Sequence, residues 1–404
     1  MTGFGELAQQ TALYPQEALA PVKTGQQNLL IGLPKEVSLQ ENRIGLTPEA
    51  VAILVRNGHQ VVLEKGAGEG AQFPDHEYSE AGAQIAYSPE EVYASDLILK
   101  IEPLVEQEFA HLKNGQKIIS ALNLPTRERG YFEFLNEKHI TGISYEYIED
   151  KVGGLPVIRS LSEIVGSTVM LIAAEYLSSA NHGKGIILGG ITGVPPTKVV
   201  IIGAGTVAEY AARTALGLGA EIKIFDQHIY RLQRLKYAIG QNIYTSIIES
   251  DTLAEAIQRA DVVIGALRPN DGYSPSIVTE EMVARMRPNS VIIDVSIDQG
   301  GCIETSRITT HKEPTYRLHD VIHYCVPNIA SRVAHTASMA LSNVFLPMLL
   351  RAGNTGGIEQ MMYANRWFSK GVYCHGGMLT NPFIAKKFNM RHKDLSLLLA
   401  ARMK

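Results

Sequence analysis

The stretch that most limits the fold is KVVIIGAGTVAEYAARTALGLGAEIKIFD, residues 198–226. Four β-branched residues, Val199 to Ile202, run without a polar break, as in a strand buried on both faces. They lead into Gly203-Ala204-Gly205-Thr206-Val207-Ala208, a G-x-G-x-x-A pattern. Gly203 permits the tight strand-to-helix turn. Gly205 has no Cβ, so a pyrophosphate can approach the backbone. Ala208 lets the helix lie close to the sheet. The phosphates then meet a helix N-terminus, where free N–H groups and the macrodipole favour negative charge. A second strand, AEIKIFD, ends on Asp226, an acid 21 positions beyond Gly205. This order of strand, glycine turn, helix, strand and acid is the context a dinucleotide-binding fingerprint requires. Asp226 is placed to accept hydrogen bonds from ribose hydroxyls and to repel a 2′-phosphate, which favours NAD over NADP. Arg231 nearby works against that preference.

The rest of the chain repeats the alternation of strand and helix. LLIGLP, HQVVLEKG, AGAQIA, DLILKI and QKIISAL read as short strands of one α/β unit with a mostly parallel sheet. TPEAVAILVRNG reads as a helix, with Thr47 as N-cap, Pro48 in the first turn and Gly58 closing it. Residues 151–197 form a connection with a helix over Leu161–Ala180 and a glycine-rich run, GKGIILGGITGVPP. A second strand–helix series starts at residue 198. ADVVIGAL and SVIIDVSIDQGG are two more of its strands, and their carboxyl ends should line the nicotinamide crevice. Asp298 follows the last apolar position, just before Gln299-Gly300-Gly301. Position alone leaves it either a chemical group or a helix cap.

Composition narrows the remaining choices. A length of 404 residues suggests two or three domains. With 37 basic and 41 acidic residues, the net charge of −4 gives no electrostatic reason to expect nucleic acid. Cys302, Cys325 and Cys374 are too few and too scattered for a disulfide scaffold or a structural zinc site, and no metal ligand set is visible. Cys302 and Cys325 sit among apolar residues and read as buried and inert. The most apolar stretch, Met339 to Leu350, is too short to cross a bilayer. Residues 1–28 are a polar extension without the pattern of a secretory signal. A cytoplasmic protein is the expectation. His319 and His323 in RLHDVIHYC read first as structural hydrogen-bonding residues.

Several longer segments go further. IGLPKEVSLQENRIGLTPEAV, LSEIVG (161–166), GKGIILGGITGVPP, VVIIGAGTVAEYAA, IDVSIDQGGC (293–302) and RLHDVIHYCVPNIA (317–330) occur in one order. With them the chain from about residue 29 onward resembles alanine dehydrogenase and the related NAD-binding alpha subunit of proton-translocating transhydrogenase. The tail KGVYCHGGMLTNP is more similar to alanine dehydrogenase. The resemblance implies an α/β protein of two Rossmann-like, doubly wound domains with the substrate in the cleft between them. It implies a discontinuous first domain, residues 29–160 and 336–404, and an NAD-binding domain over 161–335. It also implies a homo-oligomer, hexamer or dimer.

The resemblance further implies roles for single residues. Arg43, in ENRIGLTP, falls on the arginine that grips a substrate carboxylate, a task that suits a planar guanidinium. Asp298 falls on the catalytic aspartate. Asn328 falls on an asparagine that contacts substrate and cofactor, and Ser162 on a serine that touches the cofactor. Gly203, Gly205, Ala208, Asp226, Arg231, Ala266, Leu267 and Ile297 complete the cofactor set. In two places the chain departs from the pattern. The family histidine that acts as general acid and base is replaced by Asn123, in ISALNLP, which cannot exchange a proton near neutral pH. The family's substrate-contacting lysine falls on Glu102 at equal spacing, or on Lys100 if one residue is skipped. A glutamate there would repel a substrate carboxylate. The implied function is NAD-dependent deamination of L-alanine, or a related small amino acid, to a 2-oxo acid and ammonia. The alternative is a family member that binds NAD(H), as a transhydrogenase-like subunit or a sensor, without that activity.

Overall fold

The strands are short aliphatic runs, and their period of two sends alternate side chains to opposite faces. In the computed structural model, which describes residues 25–38, 40–267 and 276–401, both faces are covered. Val199 and Ile201 point into one core while Val200 and Ile202 point into another on the far side of the same sheet. Ile98 and Leu99 divide in the same way between two cores of a second sheet. Burial on both faces is what makes these segments read as unbroken apolar runs. Residues 1–24 of the N-terminal extension lie outside the described residues.

Six strands come first: β1 (Leu30–Leu33), β2 (Gln60–Glu64), β3 (Gln84–Ala86), β4 (Leu97–Leu99), β5 (Lys117–Ser120) and β6 (Thr141–Ser144). Seven follow: β7 (Lys198–Ile202), β8 (Glu221–Asp226), β9 (Tyr244–Ile247), β10 (Val262–Gly265), β11 (Val291–Asp294), β12 (Thr315–Leu318) and β13 (Val321–Tyr324). The chain then returns as β14 (Val372–His375) and β15 (Met378–Leu379). The first sheet runs β15-β14-β6-β5-β4-β1-β2-β3 and the second β12-β13-β11-β10-β7-β8-β9. Pairing is parallel except at β14–β15, β6–β14 and β12–β13. The last two strands thus complete a sheet that the first third of the chain began. In each sheet the order reverses between two parallel neighbours, β1 and β4 or β7 and β10. Ligands gather beyond the carboxyl ends at such points.

Two long helices tie the sheets together. Pro156–Leu177 starts five residues before the expected Leu161, because Pro156 supplies a pre-set first turn. Its glycine, Gly166, lies so close to the helix Thr206–Gly217 that a Cβ there would sit 2.5 Å from the Val207 carbonyl oxygen. The second, Ala334–Asn354, carries on through Ser342, Asn343 and Pro347. By length and composition, Pro156–Leu177 and the helical run Ile329–Asn354 could each cross a bilayer. Here they pack inside the fold, with Val169 and Ile172 in the core of the second sheet and Leu341 and Phe345 in that of the first.

Candidate active site

The glycine turn after β7 is shaped as its sequence requires. Gly203 has φ +110°, and a Cβ on it would stand 2.4 Å from the Ala266 carbonyl oxygen. Gly205 differs: a Cβ there would meet nothing within 4 Å, so the space above the turn is open. The helix Thr206–Gly217 begins there with no side-chain cap, which leaves its first N–H groups facing that space. Ala208 is fully buried against the sheet. A groove bordered by Gly205, Thr206, Tyr210, Tyr230, Arg231 and Arg234 lies along the turn. This open cradle over uncapped N–H groups fits a dinucleotide pyrophosphate.

Asp226 ends β8 but does not border the groove. It is buried, with Oδ2 accepting from Ala204 N at 2.8 Å and Oδ1 from His228 N at 2.8 Å. The acid therefore braces the glycine turn from behind. Arg234 Nη2 donates to the Ala204 carbonyl oxygen at 2.9 Å, on the groove side.

Ile158, Ser162, Val207 and Ala266 border both this groove and a deeper cavity in the cleft, so the two spaces adjoin. The first sheet contributes Arg43, Glu102, Asn123, Tyr145 and Glu146 to the cavity wall. The second contributes Leu267, Ser296, Asp298 and Asn328. Asp298 stands on a short turn, Ile297–Gln299, just past β11. Ile297 itself is buried behind that turn and is not on the wall.

Three serines hold the loop that carries Arg43. Asn42 N donates to Ser331 Oγ at 2.8 Å, Ile44 N to Ser338 Oγ at 2.9 Å and Thr47 N to Ser342 Oγ at 3.1 Å. The last two serines are one turn apart on the helix Ala334–Asn354, so the returning segment fixes the loop. Arg43 is almost fully buried. Its Nε donates to Glu41 Oε1 at 2.7 Å and its Nη2 to Glu41 Oε2 at 2.6 Å. On its other side Glu102 Oε1 stands 3.5 Å from Nη2. The guanidinium has five donors, so the Nη1 pair is not used by Glu41. Burial alone would raise the Glu41 carboxyl, but Arg43 overrides it and holds the group at about 2. Asn328 adds to this, its Nδ2 donating to Glu41 Oε2 at 3.3 Å.

The two departures from the family pattern meet on this wall. Glu102, not Lys100, borders the cavity. Lys100 turns away: its Nζ lies 2.6 Å from Glu108 Oε1 and 3.2 Å from Glu36 Oε2, and it is buried. The expectation that Lys100 reaches substrate is corrected by this pairing, because a buried ammonium between two carboxylates cannot leave them cheaply. Asn123 holds φ +46°, a left-handed conformation that asparagine tolerates well. Its Nδ2 donates to Glu102 Oε2 at 3.1 Å. The Asn123 loop is held by Glu146, whose Oε2 accepts from Leu122 N at 2.6 Å and from Asn123 N at 3.2 Å.

Other candidates prove structural. His323 is fully buried, and its Nε2 pairs with Thr305 Oγ1 at 2.9 Å. Desolvation lowers it to about 4, so it stays neutral. His319 pairs with Glu280 at the surface, 2.7 Å away. Burial pushes the Cys302 thiol well up and Cys325 to about 11, so neither is a nucleophile near neutral pH. Sequence reasoning missed Glu41, Tyr145 and Glu146. The one available signal was Glu41, an acid two residues from an arginine in ENRIGLTP.

Comparisons with known proteins agree with this architecture. The family described as alanine dehydrogenase/PNT, N-terminal domain, matches residues 32–165, and the corresponding C-terminal domain matches residues 169–382. The alanine dehydrogenase of Methanococcus maripaludis is 40% identical over 364 residues, 90% of this chain and 97% of its own length. That of Mycolicibacterium smegmatis is 36% identical over 373 residues, 92% of this chain and 100% of its own. A solved L-alanine dehydrogenase superposes with a TM-score of 0.84 at 36% identity, covering 89% of this chain and 99% of that one. A transhydrogenase from Sinorhizobium meliloti gives a TM-score of 0.73 at 25% identity, covering 87% of this chain and 99% of that one. With both halves matched at these lengths, on a fold whose two sheets meet at a glycine-lined cleft, the chain belongs to the alanine dehydrogenase/PNT family.

Proposed function

We propose that this protein is an NAD-dependent dehydrogenase that converts L-alanine or a related small amino acid to its 2-oxo acid and ammonia. The observation that carries the reading is the adjoining of groove and cavity at Ser162, Val207 and Ala266. A dinucleotide lying over the glycine turn would bring its reactive end to the wall that holds Arg43. Gly203, Gly205 and Ala208 would seat the pyrophosphate. Ser162, Ala266 and Leu267 would border the nicotinamide, with Ile297 behind Asp298. When bound, the nicotinamide supplies the hydride acceptor. The chain's own residues do the rest. Arg43 offers its Nη1 donors to the substrate carboxylate, and Asn328 keeps its Glu41 partner in register. Asp298 faces the substrate from the opposite wall, where a carboxylate can stabilise the cationic imine.

NAD rather than NADP is part of this proposal and rests on the fingerprint position of Asp226 at the end of β8, whose carboxylate braces the glycine turn from behind. Arg231 and Arg234 in the groove oppose this preference, so titrations with NADH and NADPH side by side are the test. The expected result is tighter binding of NADH. A cytoplasmic homo-oligomer belongs to the same proposal and rests on the family. The activity test is NADH oxidation with pyruvate plus ammonium, and with a panel of other 2-oxo acids. Turnover supports the reading. Tight NADH binding with no turnover on any of them would leave a cofactor-binding protein instead.

A further inference from the structure

Hydration of an imine needs a proton taken from water and one returned to the leaving amine. Asn123 can do neither. Among the described residues, the ionisable side chains on the cavity wall are Arg43, Glu102, Tyr145, Glu146 and Asp298. Arg43 is permanently cationic. Tyr145 Oη donates to the Ile101 carbonyl oxygen at 2.7 Å, and burial pushes its phenol well up. Glu146 is committed to the Asn123 loop, accepting from two backbone N–H groups and from Ser144 Oγ at 3.1 Å. Asp298 stands on the other wall. Glu102 is left, buried beside Arg43 and within hydrogen-bond reach of Asn123.

We infer that Glu102 carries the protons of this reaction, with Asn123 as its hydrogen-bonding partner, so that two substitutions against the family pattern act as one exchange. The inference rests on the dehydrogenase reading above. Glu102 is faced by Glu41 and Arg43 from the loop before Pro48, and by Asn123 from the turn after β5. Tyr145 and Glu146 face it from beyond β6, and Lys100 and Glu36 lie behind it. Glu36 holds the Glu102 strand end in place: its Oε1 accepts from Ile101 N at 2.6 Å. Glu41 and Glu102 flank one guanidinium but differ in state. Glu41, gripped in parallel by Nε and Nη2, stays ionised. Glu102 shares a hydrogen bond with Glu41; burial first, and then the Glu41 charge, push its carboxyl up to about 8 against the pull of Arg43. Two carboxyl groups driven apart by their surroundings are a familiar way to obtain an acid–base group near neutral pH.

The proton path balances as follows. Water oxygen adds to the iminium carbon, the C=N pair moves to nitrogen, and the proton released from water goes to the Glu102 carboxylate. The carboxyl returns that proton to the amine nitrogen. The C–N bond then breaks, ammonia leaves with the pair, and a hydroxyl lone pair closes the carbonyl. The hydroxyl proton passes to Glu102, which releases it to solvent before the next cycle. The two electrons have already left as hydride to the nicotinamide dinucleotide.

The test compares wild type with Glu102→Gln and Glu102→Asp. Glu102→Gln should lower turnover of pyruvate plus ammonium by about 10²-fold or more. It should leave NADH affinity within about twofold and remove the wild-type pH limb near 8. Glu102→Asp, which keeps a titrating group, should retain that limb with part of the rate. A second readout needs no cofactor: infrared difference spectra between pH 6 and pH 9.5. Wild type should lose a protonated-carboxyl band that Glu102→Gln never shows. Glu102→Gln at near wild-type rate with an unchanged pH profile would overturn the inference, and so would an identical infrared difference in both proteins. If wild type turns over no 2-oxo acid, the dehydrogenase reading fails and the inferred proton transfer falls with it, while the infrared titration still shows separately whether Glu102 is the carboxyl that titrates in this pH range.

Discussion

The two sheets share one design and have opposite mouths. Each is a mostly parallel sheet whose order reverses at a central pair of strands, and each gathers the proposed site residues beyond the carboxyl ends. Over the second sheet the surface is backbone: a glycine turn, an uncapped helix start and an open groove. Over the first it is charge. Glu41, Arg43 and Glu102 crowd one buried spot, with Lys100, Glu36 and Glu108 packed behind. The proposed occupants account for the difference. A pyrophosphate carries its own charge, so the protein offers N–H groups and room. A small zwitterion changes charge as it reacts, so the protein needs a fixed cation and an adjustable acid close together.

The sharpest way to break this contrast is Asp298→Asn, which removes the one carboxylate that, among the described residues, the second sheet lends to the cavity. Turnover should fall by about 10²–10³-fold, the range for losing one electrostatic stabiliser. NADH binding measured by calorimetry should survive. Full turnover in this variant would remove Asp298 from the reaction.

The glycine mouth is probed by two substitutions of the same kind. Gly205→Val adds a side chain where the structure has nothing within 4 Å. Folding should be untouched, with a melting temperature within about 1 °C, while NADH affinity drops at least tenfold because the side chain occupies the pyrophosphate path. Gly203→Val should instead destabilise the protein by about 3 kcal/mol or more, since it combines φ +110° with a 2.4 Å clash on a carbonyl oxygen. Equal effects of the two on stability would mean that the groove is not open.

How much of this was legible in the sequence depended on distance along the chain. The glycine turn is a local device: Gly203, Gly205, Ala208 and Asp226 lie within one strand–helix–strand unit, so spacing alone identified it. Even there, the burial of Asp226 was hidden, because it depends on which way a carboxylate turns at a strand end. The charged mouth is assembled from the loop before Pro48 and the ends of β4, β5 and β6. Lys100 and Glu102 show the difficulty best. Two residues apart, they would share a face if β4 continued, but the strand ends at Leu99. The chain then bends, and strand parity no longer says which side chain reaches the cavity. The serines that pin the Arg43 loop lie nearly three hundred positions away.

A smaller effect tests whether Glu102 and Asn123 work as a pair. Placing a histidine at position 123 in the Glu102→Gln background would return an imidazole to the cavity. Turnover should recover about tenfold over Glu102→Gln alone, measured with pyruvate and ammonium, because a group with a pKa near neutrality is again in reach. In the Glu102 wild-type background the same Asn123→His change should alter the rate by less than about threefold. Equal effects in both backgrounds would show that the two positions are independent.

The smallest effect is on stability, and its sign separates the two carboxylates that flank Arg43. The folded protein holds Glu102 protonated up to about pH 8, whereas the unfolded chain releases that proton near 4.5. Between these values the unfolded state binds fewer protons, so stability falls as pH rises through the window. Glu36, also raised by burial, tilts the curve in the same direction. Glu41 acts oppositely. Its contribution is present above the ordinary carboxylate range and is lost as pH falls toward about 2. Glu102→Gln has no proton to lose, so it should flatten the decline between pH 5 and pH 8 without abolishing it, because Glu36 remains. Calorimetric scans should show the variant gaining a few degrees on wild type between pH 5 and pH 8, at about 2–4 °C per kcal/mol for domains of this size. The acid limb set by Glu41 should stay where it was. Melting curves of the two proteins that run parallel across pH 5 to 8 would mean that Glu102 is already ionised in the folded state, and the first mouth would then hold fixed charges without an adjustable acid.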